Sequence, residues 1–518
     1  MGNRINIAAI LILCLVFDIL IAEEPAIGKQ KPASQAKTMI YDTGNFDGNR
    51  IHSDMQNNGM VVSHRVYGRS GLEWPKGNNT YAVFASGLWL AGMVDDEVRV
   101  ACSQYSPERV PGPYGSNSKL PKHKLYKVSR SDYADPSANE DFQNWPVDLG
   151  APWIDVDNDG IYDPLPRGSD HPDFFGDQVI WYVSNDGDTT GHTVFNTLPL
   201  GVEVQTTIFG FERPDAFGDI MFVKELIINK GGNTIEDMYA GIWSDPDLGD
   251  AGDDFVGCDT TLGMGICYND GNDEDYLGYS DGTPAVGYDF FQGPMVPSPG
   301  DTAAAYGRKI PNFKNLSMTS FIGFKCGVGY GVCEANTGEE VYNLMQGLTN
   351  NGSEIPEEFT AGSKFMLPGD PTKNTGPDDN VIVDSDFYSS GDRYFTMNAG
   401  PFTMAPGDSQ EVVYGIMLAA AGDPLDSYLY LKQVDEIAQL AFDSQFDVHT
   451  APPEPEVTIS SYDSEIILTW DDLAESYIDE DVIDKMPVPI DFDSTFATFY
   501  VDSTGLAEET RDYTILDT

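Results

Sequence analysis

Up to residue 420 the apolar residues of this chain come in short runs separated by clusters of glycine, asparagine and aspartate. That punctuation restricts most of the chain to β structure. The runs occupy residues 59–67, 81–90, 97–102, 202–211, 220–229, 237–243, 320–324 and 410–418. Residues 202–211 alternate over their first half, and 220–229 have the β-branched content of a buried strand. A Gly231-Gly-Asn turn leads into 237–243, so consecutive strands follow one another without an intervening helix, as in an antiparallel sandwich. One helix is expected near the end of this region. Asp423 can cap it, with Pro424 in its first turn, and Leu425, Leu429, Val434, Ile437, Ala438, Ala441 and Phe442 fall along one face.

At 518 residues the chain exceeds what one core usually supports, so about two or three domains are expected. Residues 1–22 read as a secretory signal peptide, with Arg4 in a short basic start and an apolar stretch over 7–17 too short to span a membrane. Asp18 interrupts the end of that stretch, and Ala22 precedes Glu23 and Glu24. Residues 23–39 form a Pro/Lys/Gln/Ala lead-in of disordered type. Residues 40–450 form the β-rich domain, which can divide into two subdomains near 150, with an irregular excursion over 107–145. A stiff proline-rich linker follows at 451–456. Residues 457–518 start as a fibronectin type III-like sandwich, in which Ile466, Leu468 and Trp470 would share one strand face. They are fewer than the roughly 100 residues such a module needs, so it is expected to be truncated. The fold class is therefore mostly all-β: a large antiparallel sandwich with long acidic loops and a C-terminal helix, then a partial second sandwich.

With 83 Asp+Glu against 29 Lys+Arg, the formal charge is -54, which would repel nucleic acid and anionic membranes. No membrane span is expected after signal removal, and a saline medium or one rich in divalent ions suits such a surface. Five cysteines remain beyond Cys14. Cys258 with Cys267 and Cys326 with Cys333 are spaced to close short loops, leaving Cys102 unpaired; equally, all five can be small buried apolar residues.

The acidic residues carry the most specific signal. Asp155-Val-Asp157-Asn-Asp159-Gly160-Ile161-Tyr-Asp163 places carboxylates at loop positions 1, 3, 5 and 9, with the Ile161 carbonyl at position 7. This spacing fits a calcium loop: hard oxygens converge on one ion and Gly160 permits the turn. It departs from the helix-flanked form, because position 12 is Pro166 instead of glutamate and no amphipathic helix adjoins it. A second acidic run, Asp245, Asp247, Asp250, Asp253, Asp254 and Asp259, follows the 237–243 strand and is a candidate second calcium site, against the alternative of a solvated loop. The run 269–275 reads as plain loop.

Catalytic signals are weak. Gly278-Tyr-Ser280-Asp-Gly282 matches the hydrolase string but lacks the strand before and the helix after. The histidines His52, His64, His123, His171, His192 and His449 are scattered without a zinc-protease pair. Trp89, Trp145, Trp153 and Trp181 would bind a glycan if exposed, although tryptophans in sandwiches are mostly core.

Several stretches taken together resemble a family of large secreted proteins from the Bacteroidetes, Chlorobi and Marinimicrobia group of bacteria. They are residues 84–92 (FASGLWLAG), 155–164 (DVDNDGIYDP), 176–181 (GDQVIW), 201–205 (GVEVQ), 245–249 (DPDLG) with 253–259 (DDFVGCD), and 390–393 (SGDR) with 399–402 (AGPF). The resemblance implies fibronectin-like modules and a type IX secretion sorting domain farther along such chains, hence location at the cell surface or in the medium. No sorting domain is read in this sequence, and the resemblance supplies no catalytic residues. The expected function is that of a secreted or cell-surface, calcium-stabilised, structural or adhesive protein without catalytic activity, with a glycan or cell-surface partner. The rival expectation is an extracellular polysaccharide-binding or polysaccharide-degrading protein.

Overall fold

The computed structural model describes residues 41–164, 169–306, 308–325, 332–379 and 390–446, together with the backbone of 457–461 and 466–470. The expected signal segment 1–22, the lead-in, the linker, Pro166, Cys326 and His449 lie outside the described residues.

Two antiparallel sheets face each other. The ten-stranded first sheet runs Ser320–Phe324, Tyr394–Met404, Ile235–Asp245, Ala85–Val94, Met60–Val62, His52–Gln56, Leu72–Glu73, Tyr81–Val83, with Thr43–Phe46 and Glu97–Val100 joined at its sides. The nine-stranded second sheet runs Asp254–Asp259, Met264–Asn269, Ala285–Gln292, Ser409–Ala419, Ile220–Asn229, Val202–Gly210, Gln178–Asn185, Val110–Pro111, with Tyr126–Ser129 against Gln178–Asn185. One core lies between them, with Leu88, Ile242 and Met397 from the first sheet meeting Val204, Ile208, Val223 and Ile416 from the second. The expected all-β sandwich is therefore the observed fold.

The second sheet is covered on both faces, which is why its strands read as continuous apolar runs and not as strict alternation. In Ile220–Asn229, Met221, Val223 and Ile227 enter the intersheet core, whereas Ile220 and Phe222 face a second core beneath the helix Pro424–Asp443. Asp423 caps that helix as expected, its Oδ1 accepting the amides of Leu425 and Asp426 at 3.0 Å each. The buried stripe, however, is Pro424, Ser427, Tyr428, Leu431, Val434, Asp435, Ala438, Ala441 and Phe442. Leu429 and Ile437, expected on the packed face, are 39% and 41% exposed. Tyr428 and Leu431 set the rotation, and a side chain at Gly287 would come within 3.0 Å of Leu431.

The excursion over 107–145 is more ordered than its composition suggests. Tyr126–Ser129 pairs with Gln178–Asn185, setting Tyr126 opposite Trp181, and a short helix Glu140–Gln143 follows. Tyr126, Val128, Phe142, Trp145, Val179 and Trp181 make a third, smaller core, against which Trp153 and Tyr162 pack. This core anchors the Asp155 loop. The hairpin Met295–Ala305 with Arg308–Asn315, absent from the sequence expectation, is largely exposed and so lacks an apolar pattern.

Cys258 and Cys267 are buried free thiols, as is Cys102. The short-loop pairing of Cys258 with Cys267 fails because strand register sets Cys258 opposite Gly265 and Cys267 opposite Val256. They are diagonal neighbours, about 7–8 Å apart and beyond disulfide reach. Cys333 is disulfide-bonded; Cys326, its expected partner, is outside the described residues. The segments 457–461 and 466–470 form an antiparallel hairpin with Val457 opposite Trp470. Among the described residues no helix is long and apolar enough to cross a membrane.

Candidate metal centre

The Asp155 loop leaves the third core through Trp153–Ile154 and returns through His171–Pro172, which pair with Ile154 opposite His171. Continuing that register one step sets Asp155 opposite Asp170. Carboxylate oxygens of Asp155, Asp157 and Asp170 lie within 4.8 Å of one another, as do those of Asp157, Asp159 and Asp163. The five acids thus form two overlapping clusters that share Asp157. Tyr162 fixes the far side of the loop, donating its hydroxyl to the Phe142 carbonyl at 2.6 Å and packing edge-on against Trp153.

Backbone amides organise the carboxylates. Asp155 accepts from Asp159 at 3.2 Å and Gly160 at 2.9 Å, Asp159 accepts from Ile161 at 2.8 Å, and Asp170 accepts from Val156 at 2.8 Å and Asp163 at 2.9 Å. Gly160 has φ +78, as the expected turn requires. Burial and the charges of Asp157, Asp170 and Asp159 push the Asp163 pKa up, and its Oδ1 has no hydrogen-bond partner among the described residues. Burial also acts upward on Asp170, but the amides of Asp163 and Val156 outweigh it and hold this carboxyl lower. These clustered aspartates could hold a metal ion. With oxygen donors only, they suit a hard cation over a soft transition metal.

Four of the expected side-chain ligands, Asp155, Asp157, Asp159 and Asp163, come together, and Asp170 joins them. Ile161 sits on the same loop with its side chain 64% exposed. Asp170 escapes a spacing rule that ends near position 12, because it reaches the site through the ladder closing the loop.

The second acidic run does not act as one group. Residues 254–259 are a strand, so its ends Asp254 and Asp259 are about 17 Å apart at 3.3 Å per residue. Asp259 instead pairs with Lys432 at 2.6 Å. Asp254 is buried and accepts the Leu248 amide at 3.2 Å, while Asp253 accepts from Asn269 at 2.5 Å. Asp250 caps a local turn through Gly252 at 2.9 Å, and its own amide donates to Asp273 at 2.7 Å. Asp273, fully buried, also takes the amides of Asp275 and Tyr276 and so organises the 269–275 loop. Only Asp245 and Asp247 of the run converge, and their third partner is Asp392.

Ser280 lies in an exposed turn with its hydroxyl 3.1 Å from Asp281, without the strand-to-helix setting of a nucleophile. His192 is buried between Glu108 and Asp186, each 3.7 Å away, and its Nε2 lies 2.7 Å from the Val100 carbonyl. Asp186 meanwhile receives the amides of Leu200, Gly201 and Val202, which is the bonding of a structural clamp. Trp89, Trp145 and Trp181 are buried, and Trp153 is half-buried against Tyr162.

Fold and site together define an antiparallel β-sandwich protein with aspartate clusters at strand ends. A scan against protein-family models finds no match, and a search of curated proteins likewise finds none.

Proposed function

We propose that this is a secreted or cell-surface β-rich protein of structural or adhesive type, without catalytic activity, whose Asp155–Asp170 loop is stabilised by calcium. The observation that carries the reading is the convergence of Asp155, Asp157, Asp159, Asp163 and Asp170 at the mouth of a two-rung ladder. Five carboxylates crowded there repel one another, and a calcium ion would remove that repulsion while fixing the loop on the third core. Because the ligands come from both ends of the loop, binding would contribute directly to its ordering. The signal-like start and the charge of -54 support an extracellular setting, where loops of this type bind calcium at about 10⁻⁴–10⁻³ M. Three of the four tryptophans that suggested the rival glycan reading are buried, which gives that reading less support.

Limited proteolysis tests the proposal. In millimolar calcium the loop between Asp155 and Asp170 should resist cleavage, and in chelator it should be cut. The double substitution Asp157→Ala, Asp159→Ala should be cut in both. Cleavage at equal rates with and without calcium in the unsubstituted chain would contradict the assignment.

A further inference from the structure

We propose that Asp245, Asp247 and Asp392 form a second, separate binding site for a hard divalent cation, which ties together the ends of two neighbouring strands of the first sheet. Ile235–Asp245 pairs with Tyr394–Met404 with Ser244 opposite Phe395, and this register, continued past the ladder, sets Asp247 opposite Asp392. Their ligand oxygens and that of Asp245 lie within 4.8 Å of one another. Asp245 is only 3% exposed, and its Oδ1 has no hydrogen-bond partner among the described residues, although this oxygen sits in the interior of the domain. A buried carboxylate oxygen without a donor is costly and calls for a bound group.

The surroundings prepare the carboxylates as ligands. The Tyr105 hydroxyl donates to Asp245 Oδ2, and the Tyr394 hydroxyl donates to Asp392 Oδ2 at 3.0 Å. Each phenol orients one carboxylate while leaving its other oxygen free, the role that outer hydrogen bonds play around metal ligands. Tyr105 in turn packs edge-on against Trp243 at 4.9 Å, so the floor of the site is aromatic. Two cations lie beside the site: Arg393 is held by Asp379, and the Lys325 ammonium donates to the Ser390 carbonyl at 3.2 Å, and both act on Asp392 as opposing charges. Glu334 adds negative charge nearby. Burial first, then repulsion from the neighbouring aspartates, drives Asp245 far above the ordinary range and Asp247 up to about 7; burial and Glu334 move Asp392 upward against Arg393 and Lys325. Such acids hold protons unless a cation replaces them. With three oxygen ligands and no nitrogen or sulfur, the site favours calcium or manganese, the remaining positions being filled by water.

Terbium luminescence excited through tryptophan tests this, because Trp243 lies under the site. The full chain carrying Asp157→Ala and Asp159→Ala isolates it from the first loop, so failure here leaves the calcium-loop reading untouched. That chain should give saturable emission which excess calcium abolishes. Adding Asp392→Asn, an exposed position whose amide oxygen can still accept from Tyr394, should remove most of the emission without changing the metal-free melt. Asp245→Asn should do the same from the buried side. Equal emission with and without Asp392→Asn, or no saturable emission at all, would overturn the proposal.

Discussion

Replacing Arg393 with alanine should destabilise the large domain by about 3–5 kcal/mol, the cost of leaving one member of a buried ion pair alone. Arg393 and Asp379 are both fully buried, joined by Nε to Oδ2 at 2.8 Å and Nη2 to Oδ1 at 3.1 Å. Asp379 Oδ2 also accepts the Val256 amide at 3.0 Å, so the pair locks the Tyr394–Met404 strand of one sheet to the Asp254–Asp259 strand of the other. Burial raises the Asp379 pKa even against the opposing charge of Arg393, and loss of the guanidinium would leave a core acid facing only the weaker influence of Lys325. Denaturant titration in chelator, which removes any metal contribution, measures the effect. Replacing both residues by apolar ones of similar volume should recover most of the loss, because the partnerless carboxylate is then gone. A loss below about 1 kcal/mol for Arg393→Ala, the range of surface pairs, would contradict this account.

Stability should also fall as pH rises, through a buried acid pair beneath the helix. Asp289 on Ala285–Gln292 and Asp435 on Pro424–Asp443 are both buried and act on each other. Burial pushes Asp289 up to about 7; burial and the facing Asp289 push Asp435 up to about 9. Glu436 and Asp259 add to the negative field, and Lys432, which binds Asp259, is the cation on this side of the helix. The folded chain therefore holds these protons more tightly than the unfolded chain, whose aspartates titrate near 3.8. The resulting stabilisation is fully present below about pH 4 and is lost as pH rises through the folded values. It amounts to a few kcal/mol. Asp435→Asn supplies a permanent donor to Asp289, so the variant should melt with a much flatter pH dependence than the unsubstituted chain between about pH 5 and 9. Parallel pH profiles for the two chains would show that the pair does not titrate in this window.

Much of the fold was legible because burial leaves apolar runs. Residues 220–229 are the strand expected, since one of its faces meets the opposite sheet and the other meets the helix. Asp423 and Pro424 mark the helix start by local chemistry alone. Its buried face was harder to read, because Ser427 and Asp435 point inward while Leu429 and Ile437 point out. The strand Asp254–Asp259 was hidden by the carboxylates at its two ends, which make a strand look like an acidic loop. Asp170 and Asp392 share a different reason. Each reaches its site through the pairing register of an antiparallel neighbour, and pairing register is a tertiary fact that local spacing does not encode.

The central claim is that the Asp155–Asp170 loop is a structural calcium site, and a thermal melt of the chain in chelator and then in millimolar calcium tests it most directly. The account predicts a gain of several degrees, corresponding to about 1–3 kcal/mol of linked binding, which Asp157→Ala with Asp159→Ala abolishes in large part. Identical melting with and without calcium would contradict it and leave the five carboxylates as a solvated acidic loop.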